Sequence, residues 1–225
     1  VARGAARKKE VLNLNSLIGE YLKSAEFRSL SSTYPDVHVH VNLDENLGNI
    51  SISTVQIRKT LLNLVLNAVE SVQGRGNVLI SSENITLTAP LKGFTEIPPG
   101  DYVRLRVSDT GSGISPEDME RVFEPFYSKK VMGRSGTGLG LAIVWNTVIE
   151  HDGHIDLASG KDGTVFDLYF PVTHALACGL TLRPAIEDFR GNGEKVLVVD
   201  DETIQRDIAS QLLKTLRYSS VACES

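Results

Sequence analysis

Short segments of alternating or β-branched hydrophobic residues predict five β-strands. They cover residues 37–43 (VHVHVNL), 77–87 (NVLISSENITL), 101–109 (DYVRLRVSD), 154–159 (HIDLAS) and 164–170 (TVFDLYF). Alternation with period two is the pattern of a strand that has one buried and one exposed face. A loop rich in proline and glycine (89–100) joins the second strand to the third, and Gly160–Gly163 joins the last two, so the sequence predicts two hairpins.

Hydrophobic residues at helical spacing predict the helices. They cover residues 1 to about 25, about 54–73, 115–123 (SPEDMERVF) and 139–150. Ser53 is the predicted N-cap of the second helix, and Gln56, three residues later, is expected to complete a capping box. Ser115 is the predicted N-cap of the third, with Pro116 at its first position. The first helix has no N-cap signal, which suggests the end of a longer helix.

Composition narrows the class of protein. The chain has 225 residues, of which 41% are hydrophobic and 23% charged, and its net charge is −5. This length suffices for one core and part of a second, and the negative charge argues against nucleic acid as a partner. No run approaches the ~20 apolar residues of a membrane-spanning helix, so we expect no membrane segment in this chain and a cytoplasmic location. Cys178 and Cys223 are expected to be free thiols, because they lack the spacing of metal ligands.

The segment SGTGLGLAIV (Ser135–Val144) places glycines at 136, 138 and 140 directly before an apolar helix. The N–H groups at a helix start are unpaired, and glycine lets phosphate oxygens approach the backbone closely. The spacing G-x-G-x-G differs from both the dinucleotide-binding fingerprint and the P-loop. The segment therefore predicts a phosphate site of another kind, with a flexible hinge as the alternative.

Asp109 ends a strand in which alternate residues from 103 to 107 are apolar. Because Asp109 has the same parity, its carboxylate is predicted to continue the buried face and to need a hydrogen-bond donor there. Glycines at 111 and 113 leave space beside the carboxylate, where the exocyclic amino group of adenine would fit. The alternative is that Asp109 caps its own turn.

Asn63 and Asn67 lie one helical turn apart in the largely apolar helix 54–73, and Lys59 and Ser71 extend this polar stripe. Buried amides cost free energy unless they are paired. An amide oxygen suits Mg²⁺, a hard cation that bridges phosphates. Asn67 is therefore a candidate magnesium ligand, and a pair of structural amides is the alternative.

These elements occur in an order that resembles a known family. The asparagine helix, D-x-G-x-G at 109–113, FEPFYSKK at 123–130 and G-x-G-x-G at 136–140 resemble the N, G1, F and G2 boxes of the histidine-kinase ATP-binding domain. The resemblance covers about residues 10–173 and extends to DNA gyrase B, heat-shock chaperones and mismatch-repair ATPases. It implies a two-layer α/β sandwich, in which helices cover one face of a mixed, mostly antiparallel sheet.

The resemblance implies a role for each matching residue. Asp109 would bind the adenine amino group, Asn67 would hold Mg²⁺ with ATP, and Asn63 would lie near the phosphates. The other residues expected at the nucleotide are Gly111, Gly113, Ile114, Phe123, Phe126, Lys129, Lys130, Gly136, Thr137, Gly138, Leu139, Gly140, Leu141 and Thr164.

A lid over ATP is implied by the same resemblance, with Phe123 and Phe126 as its anchors. Lys129, Lys130 or Arg134 would meet the γ-phosphate. The sequence does not choose among these three cations, and a solvated charge is the alternative for each. Lys130 and Arg134 join the two asparagines as candidate catalytic residues.

Position 63 favours phosphoryl transfer to a protein over ATP hydrolysis. In the hydrolysing relatives a glutamate stands four residues before the Mg²⁺ asparagine, where this chain has Asn63, which is no general base. The predicted function is therefore transfer of the γ-phosphoryl group of Mg·ATP to a histidine. An ATP-hydrolysing conformational switch and a degenerate module that only binds ATP are the alternatives. Glu70 replaces the Lys or His common at its position, which we interpret as a shift of the cationic role to the lid.

None of the histidines in the chain lies in the acceptor box of a histidine kinase. The phosphoacceptor is therefore expected on a separate dimerisation domain of the same protein, and the parent protein is expected to be a homodimer. Membrane anchoring of the parent is left open. The chain alone is not expected to label itself with ATP.

The segment VLVVDDE (Val196–Glu202) is an apolar strand with acids at its carboxyl end, followed by an amphipathic helix. It resembles the start of a response-regulator receiver domain, in which Asp200 and Asp201 would form an incomplete Mg²⁺ site. The resemblance implies a hybrid kinase, and the strand is expected to be buried on both faces. The expected domains are 1–25 (end of a dimerisation helix), 26–173 (catalytic domain), 174–193 (linker) and 194–225 (receiver start).

Overall fold

The computed structural model describes residues 9–128, 137–175 and 190–223. The chain divides into two compact units, Val1–Gly179 and Leu180–Ser225. In the described residues, no helix is both long and apolar enough to cross a membrane.

The first unit combines one large sheet with helices. Its strands are β1 (Glu10–Asn13), β2 (Val37–Leu43), β3 (Asn49–Ile52), β4 (Gly76–Leu87), β5 (Leu91–Lys92), β6 (Glu96–Ile97), β7 (Gly100–Asp109), β8 (His154–Gly160) and β9 (Gly163–Thr173). Its helices are α1 (Leu14–Leu22), α2 (Ala25–Thr33), α3 (Thr54–Ser71), α4 (Pro116–Met119) and α5 (Gly140–Glu150).

The large sheet has seven strands in the order β1-β3-β9-β7-β4-β2, and β8 also pairs with β9. All of these pairs are antiparallel except β2 with β4, which is parallel. Both predicted hairpins are present: β4 pairs with β7, and β8 pairs with β9 from the Gly160–Gly163 turn outward. The prediction of a mixed, mostly antiparallel sheet is therefore confirmed.

The core lies between one face of this sheet and the helices. Alternate residues of β7 point into it, and Val103, Leu105 and Val107 are each at most 1% exposed. The opposite face of the same strand carries Arg106, which donates two hydrogen bonds of 2.7 and 2.6 Å to Asp167 on β9. The alternation seen in the sequence thus separates an apolar face under the helices from a charged face.

The start of the chain differs from its prediction. A single helix over residues 1–25 is wrong for the described part, because Glu10–Asn13 form a strand that pairs with β3. The helix begins only at Leu14, where the Asn13 side chain accepts a hydrogen bond of 2.9 Å from the N–H of Asn15. Four residues of α1 are buried in the core of the first unit, so this segment packs as part of that unit: Leu14, Leu17, Ile18 and Tyr21.

The predicted capping box is also wrong, although α3 begins where expected. Ser53 is the N-cap residue, but its side chain makes no capping hydrogen bond. Its N–H donates instead to Nε2 of His151, over 2.8 Å, and the Gln56 amide donates to Glu150. The start of α3 is therefore held by the end of α5, which a local sequence motif cannot show.

The second unit is small in its described part. It contains β10 (Lys195–Val199), α6 (Thr203–Thr215) and β11 (Ser219–Cys223), and its two strands are parallel. Leu197 and Val199 are 63% and 51% exposed. The expected burial of this strand on both faces is therefore not found within residues 190–223, because one helix can cover only one face of two strands.

Candidate functional site

A cavity of about 470 Å³ lies beside the C-terminal half of α3 and the end of β7. Its volume is in the range of small-molecule sites, roughly 300–1,000 Å³. Several residues predicted from the sequence line it, namely Asn67, Asp109, Gly113, Ile114, Gly138, Leu141 and Thr164. The structure therefore brings residues from four separate sequence segments to one cavity.

Other predicted residues are described by the structure but are not among those that line the cavity. They are Asn63, Gly111, Phe123, Phe126, Thr137, Leu139 and Gly140. Lys129, Lys130, Arg134 and Gly136 lie outside the described residues, as does Cys178. The roles expected of Lys129, Lys130 and Arg134 at the γ-phosphate therefore stay predictions.

The Asp109 carboxylate is fixed by two hydrogen-bond donors through one of its oxygens. Asp109 is only 9% exposed. Its Oδ1 accepts from the N–H of Gly111 and lies within bonding distance of the Ser71 hydroxyl, each over 2.8 Å. Oδ2 makes no hydrogen bond to any described residue, and Asp109 lines the cavity. The turn-capping interpretation is therefore seen in the structure, since Oδ1 closes the local turn, and adenine binding by Asp109 stays a prediction.

The glycines after Asp109 make room for protein neighbours. A Cβ atom at position 111 would lie 2.1 Å from the Oγ of Ser71, so Gly111 lets the turn pack against the end of α3. At Gly113 a Cβ would lie 1.9 Å from the carbonyl oxygen of Gly160, and the backbone there has a φ of +73°. At the Cβ positions of both glycines, the space predicted beside the carboxylate is thus taken up by protein atoms.

The turn after Asp109 interlocks with the β8–β9 turn. Gly163 approaches from the other side, where a Cβ would lie 1.9 Å from the carbonyl oxygen of Asp109. The N–H of Ile114 donates to the Ser159 hydroxyl over 2.8 Å, and that hydroxyl lies 2.9 Å from the Thr164 hydroxyl. Thr164 lines the cavity. This wall is therefore held by two turns that contact each other through backbone.

The phosphate end expected from the glycine-rich segment lies at the start of α5. Leu139 is the N-cap residue and makes no side-chain capping hydrogen bond, so the N-cap side chain leaves the N–H groups of the first turn unpaired. Asn63 lies against this turn, since a Cβ at Gly140 would be 3.3 Å from its Oδ1. This proximity of Asn63 to the helix start agrees with the expected position near phosphates.

The segment around FEPFY is anchored by Phe123. Its ring centroid lies 5.1 Å from that of Trp145 and 6.4 Å from that of Phe166, which lines the cavity. Phe126, in contrast, is 75% exposed, and its N–H donates over 2.9 Å to the carbonyl of Gly138. Of the two predicted anchors, Phe123 packs into the core, whereas Phe126 is attached through its backbone.

Several cavity residues were not predicted. They are Ala68, Glu70, Ser71, Gln73, Ser112, Asp118, Val122, Tyr127, Ser128 and Phe166. Ser71 had a visible signal, because it lies one turn beyond Asn67 on the polar stripe of α3. The hydroxyl of Tyr127 donates to Asp118, a pairing across a tight loop that no sequence period indicates.

The metal site predicted for the second unit depends on two acids, Asp200 and Asp201. Asp200 follows β10, and its Oδ1 accepts a hydrogen bond of 2.8 Å from the N–H of Glu202. Asp201 is exposed beside it. Within the three described ranges, no cluster of three or more His, Cys, Asp or Glu side chains could hold a metal ion. The Mg²⁺ site at Asp200 and Asp201 stays a prediction.

Comparison with known proteins places this chain in a family. Residues 52–174 match the family described as "Histidine kinase-, DNA gyrase B-, and HSP90-like ATPase". Sensor kinase CckA of Brucella abortus (strain 2308) is 30% identical over 175 residues, which are 76% of this chain and 18% of CckA. The chain therefore spans less than a fifth of the length of that relative.

Two solved structures extend the comparison to the fold. The nucleotide-free catalytic domain of histidine kinase ThkA is 28% identical and superposes with a TM-score of 0.59 over 74% of this chain and 97% of that domain. Full-length ShkA in complex with AMPPNP has the same fold over 98% of this chain and 42% of ShkA, with a TM-score of 0.58 at 24% identity. The chain thus belongs to the histidine kinase-, DNA gyrase B-, and HSP90-like ATPase family, and it contains the ATP-binding catalytic domain of a sensor histidine kinase.

Proposed function

We propose that this chain binds Mg·ATP in the cavity beside α3 and transfers the γ-phosphoryl group to a histidine on a separate dimerisation domain. The observation that carries the proposal is the Asp109 carboxylate, which is buried, fixed through Oδ1 and without a partner among the described residues at Oδ2. A carboxylate oxygen that faces a cavity can accept a hydrogen bond from a ligand, and the exocyclic amino group of adenine is such a donor.

The opposite side of the cavity suits the phosphates. Asn67 lines the cavity, and Asn63 lies against the start of α5, where Leu139 supplies no side-chain cap. Backbone N–H groups at a helix start favour anions through their orientation and the helix dipole. The amide oxygen of Asn67 would hold Mg²⁺, which neutralises charge on the phosphates when it is bound.

A histidine acceptor agrees with an asparagine at position 63. A neutral imidazole nitrogen attacks with a lone pair and has no proton to lose at that atom, so it needs no general base. Water, by contrast, must lose a proton as it attacks. In the proposed step the new bond joins the imidazole nitrogen to the γ-phosphorus, the bond from that phosphorus to the bridging oxygen breaks, and ADP leaves. The protein contributes position and charge neutralisation.

A labelling experiment tests this function. With γ-labelled ATP, this chain alone should stay unlabelled, whereas adding the acceptor-histidine hairpin of the same protein should place an acid-labile label on that hairpin. Asn67→Ala should remove the label and lower Mg·ATP affinity at least about tenfold, with much less effect on metal-free adenosine. An acid-labile label on this chain alone would reveal an overlooked acceptor. Rapid phosphate release that Asn67→Ala abolishes would favour the ATP-hydrolysing alternative.

Ser71→Ala should weaken ATP binding without unfolding the protein. The Ser71 hydroxyl lies 2.8 Å from both Asp109 Oδ1 and the Ala68 carbonyl oxygen, so its loss removes one of the two donors that orient the carboxylate. We expect a loss of about two- to tenfold in ATP affinity, as for one hydrogen bond of about 0.5–1.5 kcal/mol. Calorimetric titration measures it. Ser31→Ala is the control, because that hydroxyl also bonds a helix carbonyl but lies on exposed α2.

We also propose that residues 190–223 are the start of a receiver domain, so that the parent protein is a hybrid kinase. Two parallel strands joined by α6 are the first repeat of a doubly wound sheet. The likeness to full-length ShkA, which extends over 98% of this chain, agrees with this proposal at the level of the fold.

Amide exchange tests the receiver proposal. Residues 195–223 should exchange rapidly in this chain, because exposed Leu197 and Val199 leave one face of the sheet uncovered. A longer chain that includes the rest of the receiver should protect the same amides. Strong protection of β10 in a dilute monomer of the present chain would contradict the proposal.

A further inference from the structure

The loop between β4 and β7 carries a hairpin that is fastened to β8. The hairpin consists of β5, β6 and the turn between them, residues 91–97. The N–H of Phe94 donates to Asp156 Oδ1 over 2.8 Å, and the Thr95 hydroxyl donates to the Ile155 carbonyl over 2.6 Å. A Cβ atom at Gly93 would lie 2.2 Å from the same Asp156 oxygen. The tip of the hairpin is therefore in close and specific contact with β8.

The Phe94 side chain extends from this tip into the aromatic cluster that anchors the cavity wall. Its ring centroid lies 5.3 Å from that of Phe123, with the rings inclined by 64°, and 6.5 Å from that of Trp145. These are edge-to-face arrangements within the favourable range of about 4.5–7 Å. Phe94 thus supports Phe123 from the side of β8, while Trp145 supports it from α5.

Phe123 in turn connects to the cavity. Its ring packs against Phe166, which lines the cavity, and its neighbour Val122 is also a lining residue. The segment that carries them has little secondary structure, since α4 is only four residues long. So short a helix is not stable by itself, so the position of this wall depends on how its side chains are packed.

We propose that Phe94 is a positioning residue for the nucleotide cavity, which acts through Phe123 on the wall formed by Val122 and Phe166. This inference rests on the proposed binding of ATP in that cavity. It assigns the 91–97 hairpin a role in ligand affinity, in addition to covering the outer strand β8.

Phe94→Ala is the direct test, and Ile97→Ala is its matched control in the same hairpin. Ile97 is fully buried, but it belongs to a separate hydrophobic cluster with Tyr102 and Tyr169, whereas Phe94 packs against the main core. Phe94→Ala should lower ATP affinity about two- to tenfold, as expected for loss of aromatic contacts, and Phe94→Tyr should restore it. Ile97→Ala should lower the melting temperature and leave the dissociation constant for ATP unchanged.

Trp145 provides a second readout, because it is the one tryptophan in the sequence. Phe94→Ala should shift the emission of Trp145 in the folded protein, and Ile97→Ala should not. If Phe94→Ala does not fold, Phe94→Leu is the replacement, because leucine keeps most of the side-chain volume but has no aromatic ring. Phe94→Leu should also weaken ATP binding.

The outcomes separate the two proposals. A folded Phe94→Ala protein, or a folded Phe94→Leu protein in its place, that binds ATP like the unmodified protein would overturn the positioning role. An equal loss of affinity in Ile97→Ala would also overturn it, since the effect would then be one of general stability. If the unmodified chain binds no ATP, the proposed function fails first.

Discussion

Asp109→Asn should lower ATP affinity about ten- to a hundredfold while the domain stays folded. Oδ1 accepts from the Gly111 N–H and lies within bonding distance of the Ser71 hydroxyl, so an asparagine would keep its oxygen at this position. Its NH₂ group would then stand where Oδ2 faces the cavity, and would meet the adenine amino group as donor against donor. The loss corresponds to about 1.5–3 kcal/mol, the value of a hydrogen bond to a charged group.

Titration with a second purine nucleotide provides the control for this variant. Guanine presents a carbonyl oxygen where adenine has its amino group, and the asparagine NH₂ can donate to it. Calorimetry should therefore show that the Asp109→Asn protein binds ATP more weakly. Its preference for ATP over GTP should become smaller or reverse. An unchanged dissociation constant for ATP, with normal thermal unfolding, would remove Asp109 from the adenine site.

Gly113→Ala should destabilise the first unit by about 2–5 kcal/mol and should abolish most nucleotide binding. The backbone at Gly113 has a φ of +73°, which costs an L-residue about 1–2 kcal/mol. The new Cβ would also lie 1.9 Å from the carbonyl oxygen of Gly160, so two backbone turns would have to separate, at a further cost of about 1–3 kcal/mol. Thermal and denaturant unfolding measure the change.

Gly74→Ala is the matched control for the backbone contribution. Gly74 has a φ of +87°, but a Cβ there would have no neighbour within 4 Å. This variant should therefore show only the conformational cost, about 1–2 kcal/mol, with unchanged ATP affinity. If Gly113→Ala were no more destabilising than Gly74→Ala, the interlocking of the two turns would not contribute to stability.

The structure also suggests why both variants act on one function. Asp109 lies between the end of α3, which positions its Oδ1 through Ser71, and the β8–β9 turn, which contacts its carbonyl oxygen at Gly163. Adenine recognition would therefore depend on three elements that are distant in the chain: the end of β7, the end of α3 and the β8–β9 turn. A substitution in any of them should appear first as weaker nucleotide binding.

Much of the fold could be predicted from local signals. The β4–β7 and β8–β9 hairpins and the helices α3 and α5 lie close to their predicted bounds. Each has a clear hydrophobic period, a turn rich in glycine or proline, or a typical N-cap residue, and such signals depend only on neighbours in the chain. The lining residues Asn67, Asp109 and Gly138 were found in the same way, because each stands in a short motif.

The first 25 residues could not be predicted from the same signals. Leucine and isoleucine are frequent in both helices and buried strands, so the segment from Val11 to Leu22 carries no decisive period. Pairing of Glu10–Asn13 with β3 decides the strand, and this pairing joins residues about 40 positions apart. The capping box failed for a similar reason, since His151 binds the Ser53 N–H from another helix.

What the sequence determined by itself was the set of chemical groups: a carboxylate at the end of a strand, amides one turn apart on a helix, and glycines before the next helix. What only the tertiary structure decided was which atoms of those groups remain available. Ser71 engages one oxygen of Asp109, the glycines at 113 and 163 admit backbone carbonyls, and Phe94 reaches Phe123 from a distant hairpin. Contacts of this kind join segments that are far apart in the chain, so their energies depend on packing that no local pattern encodes.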